Sequence, residues 1–318
     1  MPATPAVLET RARIRRAVRD WFDGQGFVEV ETPARVRSPG QEVHLDAVPA
    51  GRAGGEARWL ITSPEYHLKK LVAAGMPRVY ELGRCWRDHE SGPHHATEFT
   101  MLEWYRAGAP LEALADDCEA LVRLAFRAAG REPPPPLDAP FTRTTVRDLF
   151  ADFAGIELAG DEDVATLRAK AEAAGVSPGS ATAWDDVFFQ VFLDRIEPAL
   201  AAEGATFVFD WPAPLGALAR PHPRDHRLVE RFELYANGLE LANAFGELTD
   251  PVEQRRRFAE EARIRAERGR AVYPIDEALL AALPRMPPTA GIALGFDRLV
   301  MLALGASRID EVLAFSTV

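Results

Sequence analysis

Cysteine is nearly absent: two, Cys85 and Cys118, occur in 318 residues. Neither lies in a CxxC pair or at a Cys/His ligand spacing, which argues against a zinc site and a disulfide framework and fits a reducing, cytoplasmic setting. Each reads as a small core residue. Long apolar runs are missing as well. The best, residues 291–306, carries Asp297 and Arg298 in its middle and falls short of the roughly 20 residues a membrane span needs. Residues 8–22 hold five arginines with Glu9 and Asp20 and no apolar stretch, so an amphipathic surface helix is expected there rather than a secretory signal. Positive charge is in deficit, with 37 Lys and Arg against 48 Asp and Glu and a net charge of −11. A sequence-independent nucleic-acid binder needs a basic surplus for phosphate contacts. A cationic substrate or a basic protein partner suits the sign of this field. No short period runs through the chain, which excludes a fibre. Nucleotide-binding loops of the Gly-x-x-x-x-Gly-Lys-Ser/Thr and Gly-x-Gly-x-x-Gly types are absent, and so is a Gly-x-Ser-x-Gly nucleophile turn.

What is present suits a globular chain, 47% hydrophobic and 27% charged. At about 100–200 residues per domain, one large domain or two ordinary ones fit. A helix over 8–22 stops at Gly24 and Gly26, and FVEVET (27–32) alternates like a strand that Pro33 ends. Residues 35–58 are Gly-rich and irregular around a short strand at 42–47. A strand at 59–62 feeds a helix from Ser63 that Gly75 closes. Strands at 78–87 and 98–106 flank a polar loop, and a helix follows at 111–129. The run Pro133–Pro136 is a stiff spacer. Residues 141–202 look helical and chemically quiet, and residues 131–205 read as a helical insertion within a single catalytic domain. A strand at 206–211 precedes two alternating runs, 227–235 and 239–245, joined by Asn237-Gly238, the strongest short-range hairpin cue. A capped helix then runs from 249 to 269, and 291–304 is a strand entering a helix. The fold class expected is α+β with a largely antiparallel sheet.

The hairpin gives the first chemistry. With Asn237 and Gly238 as the turn, Tyr235 faces Glu240, and Glu233 is Glu240's diagonal neighbour on the same face, within reach of long side chains. Two carboxylates aimed at one point repel unless a cation or proton lies between them. Oxygen ligands of this kind suit Mg²⁺, which completes its shell with water and phosphates; a solvated acidic face is the plain alternative. Asn243 and Glu247 fall on the opposite face of an ideal strand, so sharing a site with Glu240 requires a bulge between Glu240 and Asn243. In 98–106, Phe99, Met101, Glu103 and Tyr105 share a face that could stack a base and grip an ammonium, or simply half-bury a strand. Arg87 would supply a bidentate fork for carboxylate or phosphate. Gly295-Phe296-Asp297-Arg298 stands at a strand-to-helix junction, where Gly295 allows close approach and Arg298 can reach a phosphate. His94 and His95 sit in a loop, with a surface role as the default.

In order, these segments form a recognisable pattern. FVEVETP resembles motif 1 of class II aminoacyl-tRNA synthetases, Arg87 through Phe99 resembles motif 2, and Gly295–Arg298 resembles motif 3. TSPEYHLKKL, EFTMLEWYR, RFELYANGLELANAFGEL and GIALGFDRLVMLALG are similar to lysyl-tRNA synthetases. The short segment before motif 1 reads as too little for an anticodon-binding domain. With SPEYH and Ala293, where lysyl-tRNA synthetases carry Gly, the chain resembles the elongation factor P–lysine ligase family of truncated paralogues. The resemblance implies a class II catalytic core, ATP and Mg²⁺ as cofactors, (R)-β-lysine or lysine as substrate and translation elongation factor P as partner. It further implies a homodimer and no tRNA partner. By resemblance, Glu233 and Glu240 hold Mg²⁺ and Leu234 lies beside the nucleotide. Arg87 binds the α-phosphate and the substrate carboxylate, Phe99 stacks on adenine, Gly295 leaves room and Arg298 closes over the far phosphates, with Arg87 and Arg298 as the catalytic pair. Ser63, Pro64, Glu65, Glu103, Tyr105, Glu240, Asn243, Glu247 and Ala293 line the amino-acid pocket. Two departures stand out. His89 occupies the place of an acidic residue, so Glu90 or His89 makes the adenine contact. The family's His-Asn-Pro-Glu-Phe reads His95-Ala96-Thr97-Glu98-Phe99. A minimal lysyl-tRNA synthetase and a non-catalytic paralogue are the competing readings.

Overall fold

The computed structural model describes residues 3–138 and 140–315. Two compact units are present, one made of Met1–Pro133 with Leu248–Val318 and the other of Pro134–Glu247. In the first unit the strands Arg78–Trp86 and Glu98–Ala107 pair antiparallel, Trp86 opposite Glu98, and Thr289–Gly295 pairs antiparallel on the far side of Glu98–Ala107. The helix Pro5–Gly24 starts with Thr4 accepting from the amide of Val7 and Pro5 in its first turn. It buries Ile14, Val18 and Phe22, and the Phe22 ring stacks on Tyr80 at 4.3 Å and meets Trp104 edge-on at 5.4 Å. Two buried acids fix the central strand. Asp117, on the helix Glu112–Ala128, takes a bidentate pair of 2.7 Å bonds from Arg106 and one of 3.0 Å from the Trp104 indole. Asp297, in the helix Phe296–Leu304, accepts from the amide of Thr100 at 2.7 Å and pairs with Arg11.

Three local expectations need correction. The strand expected at 27–32 pairs only over Val28–Glu29, parallel to Arg78–Trp86; further on, the Thr32 amide donates to the Glu81 carboxylate at 3.1 Å rather than to a strand carbonyl. No strand forms at 42–47. That loop is instead tied down by Arg265, fully buried in the helix Pro251–Glu267, which donates to the carbonyls of Glu42 and Leu45 and to the Asp46 carboxylate, each at 2.7 Å. Conversely, 35–58 is more regular than expected. Pro49–Ala53 and Glu56–Leu60 form a hairpin on Gly54 and Gly55 (φ 57° and 82°), and Arg35–Val36 completes a three-stranded sheet.

In the second unit the strands run in the order Leu239–Gly246, Leu228–Ala236, Ala205–Pro212, Thr142–Thr145, antiparallel except for the last pair. Helices from 146 to 202 pack a core on Phe150, Phe188, Phe192 and Trp211. The chain 131–205, read as helical, also carries the short strand Thr142–Thr145. Asn237 and Gly238 adopt φ 49° and 75°, the two left-handed positions of a type I′ turn that matches the strand twist.

Gly238 pays no steric penalty at that φ, whereas a Cβ would be strained and would come within 3.2 Å of the Ala201 Cβ. Gly238→Val is expected to lower stability by about 1–2 kcal/mol in urea unfolding, and an unchanged midpoint would contradict this reading of the turn. A second expectation concerns Glu261, whose carboxyl burial pushes up to about 8, with the carboxylates of Glu42 and Glu65 adding repulsion and Arg257 and Arg265 offsetting part of it. A folded-state value above the unfolded one contributes stability at low pH that is lost as pH rises from the usual carboxylate range through about 8. Across that window Glu261→Gln should flatten the decline, whose slope for one proton is at most about 1.4 kcal/mol per pH unit; parallel wild-type and variant curves would contradict it.

Candidate active site

On the strand Glu98–Ala107, alternation sets Phe99, Met101, Glu103 and Tyr105 on one face, and Glu103 and Tyr105 are buried there. The Glu103 carboxylate is fixed by two hydroxyls: Ser63 donates to one oxygen and Tyr105 to the other, both at 2.8 Å. The Glu65 amide donates to Ser63 Oγ at 3.0 Å, so the Ser63-Pro64-Glu65 turn and Glu103 are one hydrogen-bonded piece. Glu65 also pairs with the buried Lys69 one helical turn on. Ala293 lies directly across the ladder from Glu103, and its methyl packs against the small cluster of Val36, Ile61, Cys85 and Met101. A methyl at this position therefore narrows the space beside the Glu103 carboxylate.

Arg87 follows the strand Arg78–Trp86, its amide bonded to the Thr97 carbonyl at 2.9 Å. The guanidinium lies 5.1 Å above the Phe99 ring. Its buried Nε has no acceptor among the described residues, and its one ion pair, with Glu90, is long at 3.8 Å. A fixed cation with an unused donor over an aromatic plate is a ready anion position. His89 is 80% exposed with φ 63°, whereas Glu90 is half-buried beside Arg87. Arg298 is held by the loop between the strands Arg78–Trp86 and Glu98–Ala107, donating through Nε to the His94 carbonyl at 3.3 Å and lying 2.7 Å from His95 Nε2. The nearest atoms to a Cβ on Gly295 would be those of the Arg298 side chain, no closer than 3.4 Å.

The second unit carries the acidic pair. Tyr235 faces Glu240 as the turn dictates, but the register then shifts between Glu240 and Ala242, leaving Leu241 as the extra residue and placing Asn243 directly opposite Glu233. The bulge that a shared site requires is present, and Glu233, Tyr235, Glu240 and Asn243 line one face. Leu234, between them, is buried in the other direction. The next residue of that face is Arg231, which ion-pairs with Glu233, donates to Asn243 at 3.1 Å and lies 4.2 Å over the Trp211 ring. Tyr235 donates to the second Glu233 oxygen at 2.5 Å. Burial, opposed by Arg231 and joined by repulsion from Glu240, pushes the Glu233 carboxyl up to about 7. A divalent cation relieves both causes, and two hard carboxylates suit Mg²⁺. Among the described residues no group of three or more His, Cys, Asp or Glu surrounds a metal position, so a metal held here would take further ligands from substrate or water. Glu247 is buried at the strand's end, bridged to Ala219.

Within the first unit, then, Ser63, Glu65, Glu103 and Tyr105 converge, and within the second, Glu233, Glu240 and Asn243. Sequence reading missed Arg231, although two-residue periodicity already sets it beside Glu233. It also missed Lys69, at helical spacing from Glu65, and the part His94 and His95 play in holding Arg298. Both cysteines are buried core residues, as expected.

The chain matches the family model for class II tRNA synthetases (D, K and N) over residues 2–318. It is 40% identical over 321 residues to the elongation factor P–(R)-β-lysine ligase of Vibrio cholerae, covering 98% of this chain and 96% of that one. The proteins of the same name from Edwardsiella ictaluri and Erwinia tasmaniensis are 40% and 41% identical, each comparison covering 99% of this chain and 96% of the relative. The chain belongs to the class II tRNA synthetases of the D, K and N type and, within them, to the elongation factor P–(R)-β-lysine ligase family.

Proposed function

We propose that this protein is an ATP-dependent ligase that activates (R)-β-lysine, or lysine, as its adenylate and passes it to the ε-amino group of a lysine on translation elongation factor P. The observation that carries this reading is Arg87, a guanidinium set over Phe99 with a buried, unused N–H. The full-length similarity to ligases of that name supports the choice of substrate and partner. In the first step a substrate carboxylate oxygen attacks the α-phosphorus of ATP and pyrophosphate leaves. Arg87 orients the carboxylate and the α-phosphate and, with Arg298, offsets the charge that builds on the phosphate oxygens. Phe99 stacks on adenine, Glu90 or His89 contacts its edge, Leu234 borders the nucleotide and Gly295 leaves it room. Glu233 and Glu240 would hold Mg²⁺, which supplies charge neutralisation on the phosphates. Ser63, Pro64, Glu65, Glu103, Tyr105, Asn243, Glu247 and Ala293 line the amino-acid pocket, whose carboxylates suit a dibasic substrate. In the second step the partner's lysine amine attacks the adenylate carbonyl carbon, its proton is lost to water, and AMP leaves. Positioning supplies most of the rate, as no protein nucleophile takes part. We assign the protein to the cytoplasm as a homodimer, with tRNA not its acceptor. No helix among the described residues is long and apolar enough to cross a membrane.

Arg87→Ala should reduce lysine-dependent ATP–pyrophosphate exchange by about 10²–10³-fold while leaving thermal unfolding unchanged; exchange at the wild-type rate would contradict the assignment. Incubated with ATP, elongation factor P and each lysine isomer in turn, the enzyme should add one lysyl unit to the factor, read by intact-protein mass, and should leave bulk tRNA uncharged. Charging of tRNA without labelling of the factor would favour a lysyl-tRNA synthetase instead.

A further inference from the structure

Arg231 lies on the strand Leu228–Ala236, two residues before Glu233, and is buried. Each of its three nitrogens donates to a different element. Nη2 donates to Glu233 Oε1 on its own strand, Nε to Asn243 Oδ1 on the neighbouring strand at 3.1 Å, and Nη1 to the Leu215 carbonyl at 2.6 Å. Leu215 ends the short turn Ala213–Leu215 that follows the strand Ala205–Pro212. The Trp211 ring lies 4.2 Å from the guanidinium, and its indole N–H is fixed in turn to the Val208 carbonyl at 2.9 Å. A planar fork set on an aromatic plate and tied at three corners is held in one orientation. Glu233 and Asn243 stand directly opposite each other, because the shift after Glu240 brings them into register. Without that shift Asn243 would fall on the other face of the ladder, out of the guanidinium's reach.

We propose that Arg231 is a positioning residue that orients Glu233 and Asn243 together, so that one guanidinium sets a ligand of the nucleotide's magnesium and a wall of the amino-acid pocket at once. This rests on the reading of the protein as a lysine-activating ligase, in which Glu233 and Asn243 have those places, and adds what holds them there. The effect on each partner differs. Of Glu233, Arg231 takes one oxygen and Tyr235 the other, which fixes the carboxylate plane while each oxygen keeps a second acceptor direction for a cation. Of Asn243 it takes Oδ1. A guanidinium has donors only, so the amide must turn its oxygen toward Arg231 and leave its Nδ2 hydrogens for a different partner. Charge alone does not account for the residue. A compact ammonium could neutralise Glu233, but it could not span Glu233, Asn243 and Leu215 from one plane. Groups standing behind the atoms that hold a metal or substrate keep those atoms in their binding orientation and govern affinity without touching what is bound.

The test is calorimetric binding to the full-length protein, with MgATP in the absence of amino acid and with (R)-β-lysine in the absence of ATP, alongside pyrophosphate exchange. Arg231→Lys, which keeps the charge and loses the planar fork, should raise both dissociation constants by roughly tenfold to a hundredfold. Both KM values should rise in step, with kcat at saturation falling by less. Asn243→Ala, whose own place is the amino-acid pocket, removes one arm of the bridge and should weaken MgATP binding by about tenfold. An arginine with a merely structural role would lower the unfolding temperature in Arg231→Lys and leave both dissociation constants unchanged. That result, a rise in only one of the two constants, or an unchanged MgATP affinity in Asn243→Ala would overturn the role of Arg231 while leaving the ligase reading standing. Asn243→Ala decides alone if Arg231→Lys does not fold. A wild-type protein that binds no MgATP and activates neither (R)-β-lysine nor α-lysine would overturn both.

Discussion

Enclosing a carboxylate in protein costs several kcal/mol unless a donor or a cation comes with it, and each unit of this chain is arranged around that constraint. Asp117 and Asp297 meet it with arginines and an indole or amide, and in doing so they lock the strand Glu98–Ala107 against its helices. Glu103 meets it with two hydroxyls, Glu233 with Arg231 and Tyr235, and Glu65 with Lys69. The structural acids are paired with arginines. Of the acids of the candidate site, Glu103 alone is held by neutral hydroxyls, whereas Glu65 and Glu233 each have one cationic partner and Glu233 also feels the repulsion of Glu240.

A net charge of −11 does not stand against the proposed nucleotide site. The proposed anion position is local, formed by Arg87 and Arg298, each placed by neighbouring backbone: the Thr97 carbonyl for one and the His94 carbonyl for the other. In the proposed function the excess of acid would serve cations, the magnesium that accompanies a nucleotide and the amines of a dibasic substrate. Ala293 adds a steric element beside Glu103; in the proposed function, charge would select the class of amino acid and shape the isomer.

Much of this was legible from local pattern. Asn237-Gly238 fixed the hairpin register, since a type I′ turn leaves one choice of facing residues. The face carrying Phe99, Glu103 and Tyr105 followed from two-residue alternation. The bulge after Glu240 could be stated only as a condition, because nothing near Leu241 distinguishes a regular strand from a shifted one. The loop at 42–47 misled for a different reason. It alternates like a strand, but its partner is Arg265, more than two hundred residues away, and tertiary hydrogen bonds outweigh the weak intrinsic preference of a short segment. The Gly54-Gly55 hairpin, in contrast, was within reach of sequence reading and was hidden by glycine-rich surroundings that resemble irregular chain.

The central claim is that buried carboxylates here read the positive charge of an amino-acid substrate before it is activated. The most direct measurement is ATP–pyrophosphate exchange by the wild-type protein with (R)-β-lysine compared with norleucine, which matches the lysine side chain in length but lacks the terminal ammonium. Exchange is expected with the dibasic amino acid and none above background with norleucine. Comparable exchange with both would contradict it.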